Sequence, residues 1–216
     1  MSIGVSLEEV QRIGLPMGGE PLVALDLADT LMLAQDPVTD LLEPAGRGEA
    51  WWELQLSRLP GSARPEPAAA RRLRAAIRDL LDSQLERRSA LEASIEDINA
   101  ASASVPTSPR LVHVESGTSR EDSPWHGDGP WHGETRWHRE QGGNAALAAI
   151  AREIIDLFSS PERLNRLRRC ADPTCSMLFL AETARRQWCA SNVCGNRARV
   201  ARHYRRTHPV KSGGES

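Results

Sequence analysis

The sequence reads as an α+β protein: a helix-rich N-terminal domain with a small antiparallel β-sheet, then a small cysteine-built module. Three observations predict this. Apolar residues recur at helical spacing through most of residues 1–160, whereas strand-like alternation is confined to short segments. All four cysteines fall in the last quarter of the chain, as two close pairs. The charge divides at the same place: residues 1–160 carry 15 basic and 25 acidic side chains, residues 161–216 carry 12 and 4. The 216 residues suffice for a main domain with a satellite, and 40% hydrophobic residues exclude a wholly disordered chain. The longest apolar runs are about five residues against the roughly 20 that span a bilayer, so no membrane partner is expected. No basic start followed by an apolar stretch opens the chain, and the expected location is cytoplasmic.

The elements follow in chain order. Pro21–Leu27 is short and apolar and predicts a strand. Pro60–Pro67 is a loop. Pro67–Arg88 places Leu73, Ile77, Leu80, Leu81 and Leu85 on one helical face, and Leu91, Ile95 and Ile98 continue the pattern in a second piece. Ala101–Pro109 is a loop, and Leu111–Glu115 alternates as a half-buried strand, with Thr135–Arg139 returning antiparallel to it. Between them Trp125-His126, Trp131-His132 and Trp137-His138 recur every six residues; this reads as a Gly/Pro-broken hairpin loop rather than a second metal site, with Trp137 a core candidate. Asn144 caps an amphipathic helix to Phe158, with Leu147, Ile150 and Ile154 inward. Ser160-Pro161 opens a short helix to about Arg168. These readings give a domain over 1–160, a cysteine module over 161–210 and a disordered tail over 211–216.

Cys170, Cys175, Cys189 and Cys194 have the spacing C-x4-C-x13-C-x4-C. Two close pairs separated by a loop can clasp a tetrahedral ion from both sides, and four thiolates favour zinc in a structural role. Two disulfides are the rival, disfavoured in a reducing compartment. The expectation is one structural Zn2+ per chain. A closed four-sulfur shell argues against hydrolytic chemistry, and no nucleophile–base pair, phosphate loop or dinucleotide fingerprint suggests an enzyme. Residues 165–210 hold few large apolar side chains, so the metal would supply much of their folding free energy. Arg168, Arg169, Arg185, Arg186 and Arg197 are candidates to offset the negative centre.

Beyond Cys194 a helix is expected to about Thr207. At 100° per residue Val200, Ala201 and Tyr204 define an inner face, and Arg199, Arg202, Arg205 and Arg206 an outward stripe. Arg197 points toward the metal, as a structural residue with Trp188. An arginine stripe suits phosphates and base edges. With Arg185 and Arg186 on the inter-pair loop as helpers, it predicts contact with double-stranded DNA, on an otherwise acidic protein. One finger offers few contacts, so a homodimer is expected. An RNA-binding module is one rival, and a thiol switch releasing zinc on oxidation of Cys170 or Cys194 is another.

Cys189-Ala190-Ser191-Asn192-Val193-Cys194-Gly195-Asn196-Arg197, preceded by Trp188 and by Cys170–Cys175, resembles the CGNR zinc finger. The earlier part resembles the ABATE domain through Leu25-Asp26-Leu27-Ala28-Asp29-Thr30, Asp40-Leu41-Leu42, a Trp51/Trp52 helix and Ser159–Leu164. The resemblance implies a bacterial, stress-induced transcription regulator that binds DNA through the finger. Leu27 and Asp29 stand where the family pattern has an aromatic residue and an amide. Asp26, Asp29 and Thr30 have helix capping or buried hydrogen bonding as their commonest use. A pocket for an unidentified small-molecule effector is the second reading.

Overall fold

The computed structural model describes residues 7–16, 22–43, 47–61, 63–113 and 131–208. Its first helix, α1, is Leu7–Arg12, and its second, α2, is Val23–Ala28. The strand expected at Pro21–Leu27 is therefore a helix. Every α2 side chain is buried, so the segment has no periodicity to separate helix from strand. A surrounded strand would need ladder partners on both edges, whereas a helix satisfies its backbone internally. At its first turn the free Ala24 N–H donates to Glu153 Oε2 at 2.9 Å.

Strands β1 (Leu31–Met32) and β2 (Thr39–Asp40) form a small antiparallel pair, followed by α3 (Gly48–Leu56). Trp51 and Trp52 meet edge to face on α3, and both are buried. Helix α4 runs Pro67–Glu86. Its N-cap is Glu66, whose carboxylate accepts from Ala68 and Ala69 N–H at 2.9 and 2.8 Å, with proline at the first helical position. Helix α5 (Glu92–Ala103) leads into the long hairpin of β3 (Thr107–His113) and β4 (Trp131–Trp137). The expected antiparallel return is present, in the register Thr107↔Trp137 to His113↔Trp131. The strand begins inside the segment read as a loop; of the tryptophan–histidine repeat, read as a hairpin loop, Trp131-His132 and Trp137 lie in β4, and Trp125-His126 lies outside the described residues. Trp137 is half-buried against Val105 and Ala148, with the Arg152 guanidinium 4.7 Å over its ring.

A 3-10 turn (Arg139–Gln141) precedes α6 (Ala145–Phe158), capped as expected by Asn144 Oδ1 on Leu147 N–H. Gly143 makes this entry possible. Its φ is +80°, and a Cβ there would fall 2.4 Å from the Ser104 carbonyl oxygen. Helix α7 covers only Pro161–Leu164, short of the expected Arg168, and Ser160 makes no side-chain cap bond. The chain turns instead into β5 (Leu167–Arg169), antiparallel to β6 (Leu178–Leu180), because Leu167 is drawn into the core. The last helix, α8, is Cys194–Thr207. Among the described residues no helix is long and apolar enough to cross a membrane.

One main core holds α2 against α4 and α6, and Leu167, Leu178 and Leu180 of the β5–β6 hairpin belong to it. A second cluster gathers Phe179 and Ala181 with the cysteines. The hairpin thus faces both ways, Leu178 and Leu180 into the body and Phe179 into the module, as strand alternation requires. Polar contacts reinforce this seam. Leu178 N–H donates to Asp29 at 2.9 Å, Arg78 donates to the Ser176 carbonyl at 3.1 Å, and Arg169 pairs with Asp82 at 3.0 Å.

Candidate metal centre and the helix beyond it

The Sγ atoms of Cys170, Cys175, Cys189 and Cys194 all lie within 4.8 Å of one another. Cys175–Cys189 is 3.8 Å and Cys189–Cys194 is 3.7 Å. A metal–sulfur bond of about 2.3 Å gives a tetrahedral edge of about 3.8 Å, whereas a disulfide requires about 2.05 Å. The cysteines are free, so the disulfide alternative falls and the donor set fits one tetrahedral ion. Each pair sits on a tight loop. The Asp172 carboxylate accepts from Thr174 N–H and Oγ1 at 2.9 and 2.7 Å, and Cys175 N–H closes the loop on the Asp172 carbonyl at 3.0 Å. Backbone N–H groups of Asp172 and Cys189 aim at Cys170, and that of Met177 at Cys175. Such donors stabilise sulfur as thiolate.

The thiols are electrostatically interdependent. Hydrogen bonds from Cys175 and Cys189 lower the pKa of Cys170, while the bond to Cys170 raises Cys175 and Cys189, and burial raises Cys194. One negative sulfur is stabilised by its neighbours, and a second charge so close is opposed. Four thiolates together therefore call for a cation, and binding it releases protons.

The arginines near the centre divide by role. Arg197, expected to face the metal, donates to Thr174 Oγ1 at 2.7 Å and lies 3.2 Å from Asp172, bracing the first knuckle. Trp188 packs half-buried beside the cysteines. Arg186 donates to the Cys189 carbonyl at 2.6 Å and lies 4.7 Å over the Phe179 ring, which turns its guanidinium inward rather than out toward a nucleic acid. Arg185 is exposed. Arg168 and Arg169 are turned elsewhere, to the Asn165 and Leu167 carbonyls and to Asp82 and Glu86.

Helix α8 starts at the last ligand, and Gly195 N–H bonds the Ala190 carbonyl at 3.0 Å. Beyond Ala198 its side chains are exposed on every side. The inner face expected of Val200, Ala201 and Tyr204 is not buried: Val200 and Tyr204 are each 62% exposed. The helix runs past the edge of the module, and among the described residues nothing buries that face. Arg199, Arg202, Arg205 and Arg206 are all exposed, and none pairs with a carboxylate among the described residues. Arg199 and Arg202 reach only the Ser191 and Ala198 carbonyls, at 3.3 Å each. Tyr204 stacks on His208.

Asp26, Asp29 and Thr30 are buried at the C-terminal end of α2 and just beyond. Asp26 pairs with Arg58 at 2.7 Å, and Thr30 Oγ1 donates to the Leu27 carbonyl and accepts from Arg74. Asp29 accepts from Leu178 N–H and lies 3.3 Å from Arg78. Burial raises the Asp29 pKa well above the usual carboxylate range, against the pull of Arg78 and the Leu178 N–H. All three are thus engaged in buried or part-buried hydrogen bonds or ion pairs. Asp26 and Asp29 nevertheless also line a cavity of about 160 Å3 whose far wall is the metal centre, and Thr30 does not. Sequence reasoning missed this seam, because its partners are 149 residues apart.

A family model described as "Putative stress-induced transcription regulator", ABATE, matches residues 22–161. The chain belongs to the ABATE family. A second model, the CGNR zinc finger, matches residues 166–207, which contain all four cysteines and α8. ABATE domain and finger follow in the order expected from the resemblance. A search of curated proteins gives no match. In this chain the four-sulfur cluster lies within the finger's match, and Asp29 of the ABATE match accepts the Leu178 N–H of the finger match.

Proposed function

We propose that this ABATE protein is a DNA-binding transcription regulator whose structural zinc ion anchors α8 for contact with a duplex. One observation carries the reading. The last turns of α8 are free on every side and display four arginines that no carboxylate neutralises among the described residues. Helical turns that bury nothing against their own protein gain packing and counterion release by docking on a polyanion. Exposed Val200 and Tyr204 flank the stripe and offer apolar contact to thymine methyls or sugars. Arg185 extends the basic surface, and Arg186 supports it from within. The zinc has a structural role in this reading, since four sulfurs complete the tetrahedral shell and leave no position for a reacting water, and no catalysis is assigned to it. A homodimer in the cytoplasm, reading two half-sites, suits the small footprint of one finger.

The test is fluorescence anisotropy of the full-length, metal-loaded protein on labelled duplex DNA over a salt series. Four phosphate contacts give a slope of log affinity against log salt near −3.6, and a dimer about twice that. Salt-independent binding would refute the reading. Tighter binding to single-stranded RNA than to any duplex would move it to the RNA class.

A further inference from the structure

The cavity between the ABATE domain and the finger has Leu15, Met32 and Met177 among its apolar walls. Three of the four metal-site cysteines line it: Cys175, Cys189 and Cys194. Cys175 is half-buried, whereas the other three are buried, at 6% exposure or less. About 160 Å3 admits a molecule of roughly six to nine non-hydrogen atoms, much as a 150 Å3 apolar cavity admits benzene. The other ionisable groups on the lining are Asp26, paired with Arg58, Asp29, whose burial favours the neutral acid, and Arg197, so the apolar walls set the preference for an uncharged molecule.

We propose that this cavity admits small, uncharged, apolar electrophiles and directs them to Cys175, making it a covalent modification site. The inference rests on the four-thiolate reading of the metal centre and is independent of whether α8 binds DNA. A metal-bound cysteine is deprotonated, and thiolate is the nucleophilic form of sulfur. With an α,β-unsaturated carbonyl, the Cys175 Sγ lone pair forms a bond to the β-carbon. The C=C π pair moves to the carbonyl oxygen as an enolate, and water returns a proton to the α-carbon, leaving hydroxide. No oxidant is required. The resulting thioether is a poorer ligand than thiolate, so the Asp172–Cys175 knuckle loses its tie to the centre. Arg197, which braces α8 on that knuckle through Thr174, then loses a fixed support.

The experiment treats full-length, metal-loaded protein with substoichiometric N-ethylmaleimide. Adducts are located by fragment-ion mass spectrometry, and bound zinc is measured on the same sample. Cys175 is expected to be labelled about tenfold ahead of each other cysteine, with zinc release following the adduct. A carboxylate-bearing maleimide should react about tenfold more slowly at Cys175, because apolar walls penalise a buried charge. Ala34→Trp, at the exposed side of the cavity, should slow N-ethylmaleimide while leaving zinc content unchanged. Equal labelling of all four cysteines in zinc-loaded protein, or labelling of Cys175 only after chelation, would overturn the inference alone. A preparation that binds no zinc would instead contradict the metal centre itself, and the inference with it.

Discussion

Replacing Asp29 tests how the ABATE domain grips the finger. Its carboxylate is 3% exposed, accepts the Leu178 N–H at 2.9 Å and lies 3.3 Å from Arg78. Asp29→Ala leaves the buried Leu178 N–H without its acceptor, which costs about 1–3 kcal/mol. It also takes one partner from Arg78, whose guanidinium keeps Asp82 at 3.0 Å and the Ser176 carbonyl at 3.1 Å. The retained partners hold this second cost below the roughly 3–5 kcal/mol of a fully orphaned buried charge. The sum is about 3 kcal/mol, or a Tm decrease of about 6–12 °C for a chain of this size. Asp29→Asn keeps an oxygen for Leu178, and since burial already favours the neutral acid, it should cost about 1 kcal/mol or less. Thermal melts give the totals, and hydrogen exchange at the Leu178 amide localises them. Equal losses for Asn and Ala would show that charge rather than the acceptor holds the seam. A loss below about 1 kcal/mol for Ala would refute the grip altogether.

Three further outcomes follow from the same geometry. Cys189→Ser should abolish zinc binding and lower the stability of the body as well as the finger, because Leu167, Leu178 and Leu180 sit in the main core; elemental analysis and two-probe melts check this. The half-buried Glu153 carboxylate of α6 meets the start of α2, and desolvation there raises its pKa to about 7. The folded protein therefore binds a proton more tightly than the unfolded chain, and stability falls as pH rises from about 4.5 to 7. Glu153→Gln should leave stability at pH 4 unchanged and add about 2–3 kcal/mol at pH 8, measured by urea melts at the two pH values. Arg197→Ala removes the partner of nearly buried Asp172 and should cost about 1–2 kcal/mol of finger stability, whereas Arg202→Ala should leave the melt unchanged and lower the salt slope by about one.

The sequence carried the metal site better than its setting. Paired cysteines announce a tetrahedral centre because ligand spacing is local, and α4 and α6 were legible because one face is apolar, with Asn144 marking the start of α6. Helix α2 was misread because burial on all sides erases the alternation that distinguishes helix from strand. Val200 and Tyr204 were misread for the opposite reason. A helical wheel orders directions but cannot say whether anything is packed against them. Arg186 looked like its neighbour Arg185, yet backbone carbonyls and a ring supplied by distant folding draw it inward. The Asp29–Leu178 seam had no sequence signal at all, since a carboxylate after an expected strand reads first as the N-cap of a following helix.

The central claim is that a zinc-anchored α8 presents its arginines to DNA. The most direct measurement is duplex binding by a full-length variant with Arg199, Arg202, Arg205 and Arg206 all replaced by alanine, with zinc content determined on the same sample. These side chains are exposed, and the one bond from them to the cysteine loops among the described residues is the long, exposed Arg199–Ser191 contact of 3.3 Å, so the variant should retain one zinc per chain and a nearly unchanged melt. Its duplex affinity should fall by about 100-fold or more near physiological salt, with the salt slope approaching zero. Undiminished binding by a zinc-loaded quadruple variant would contradict the claim.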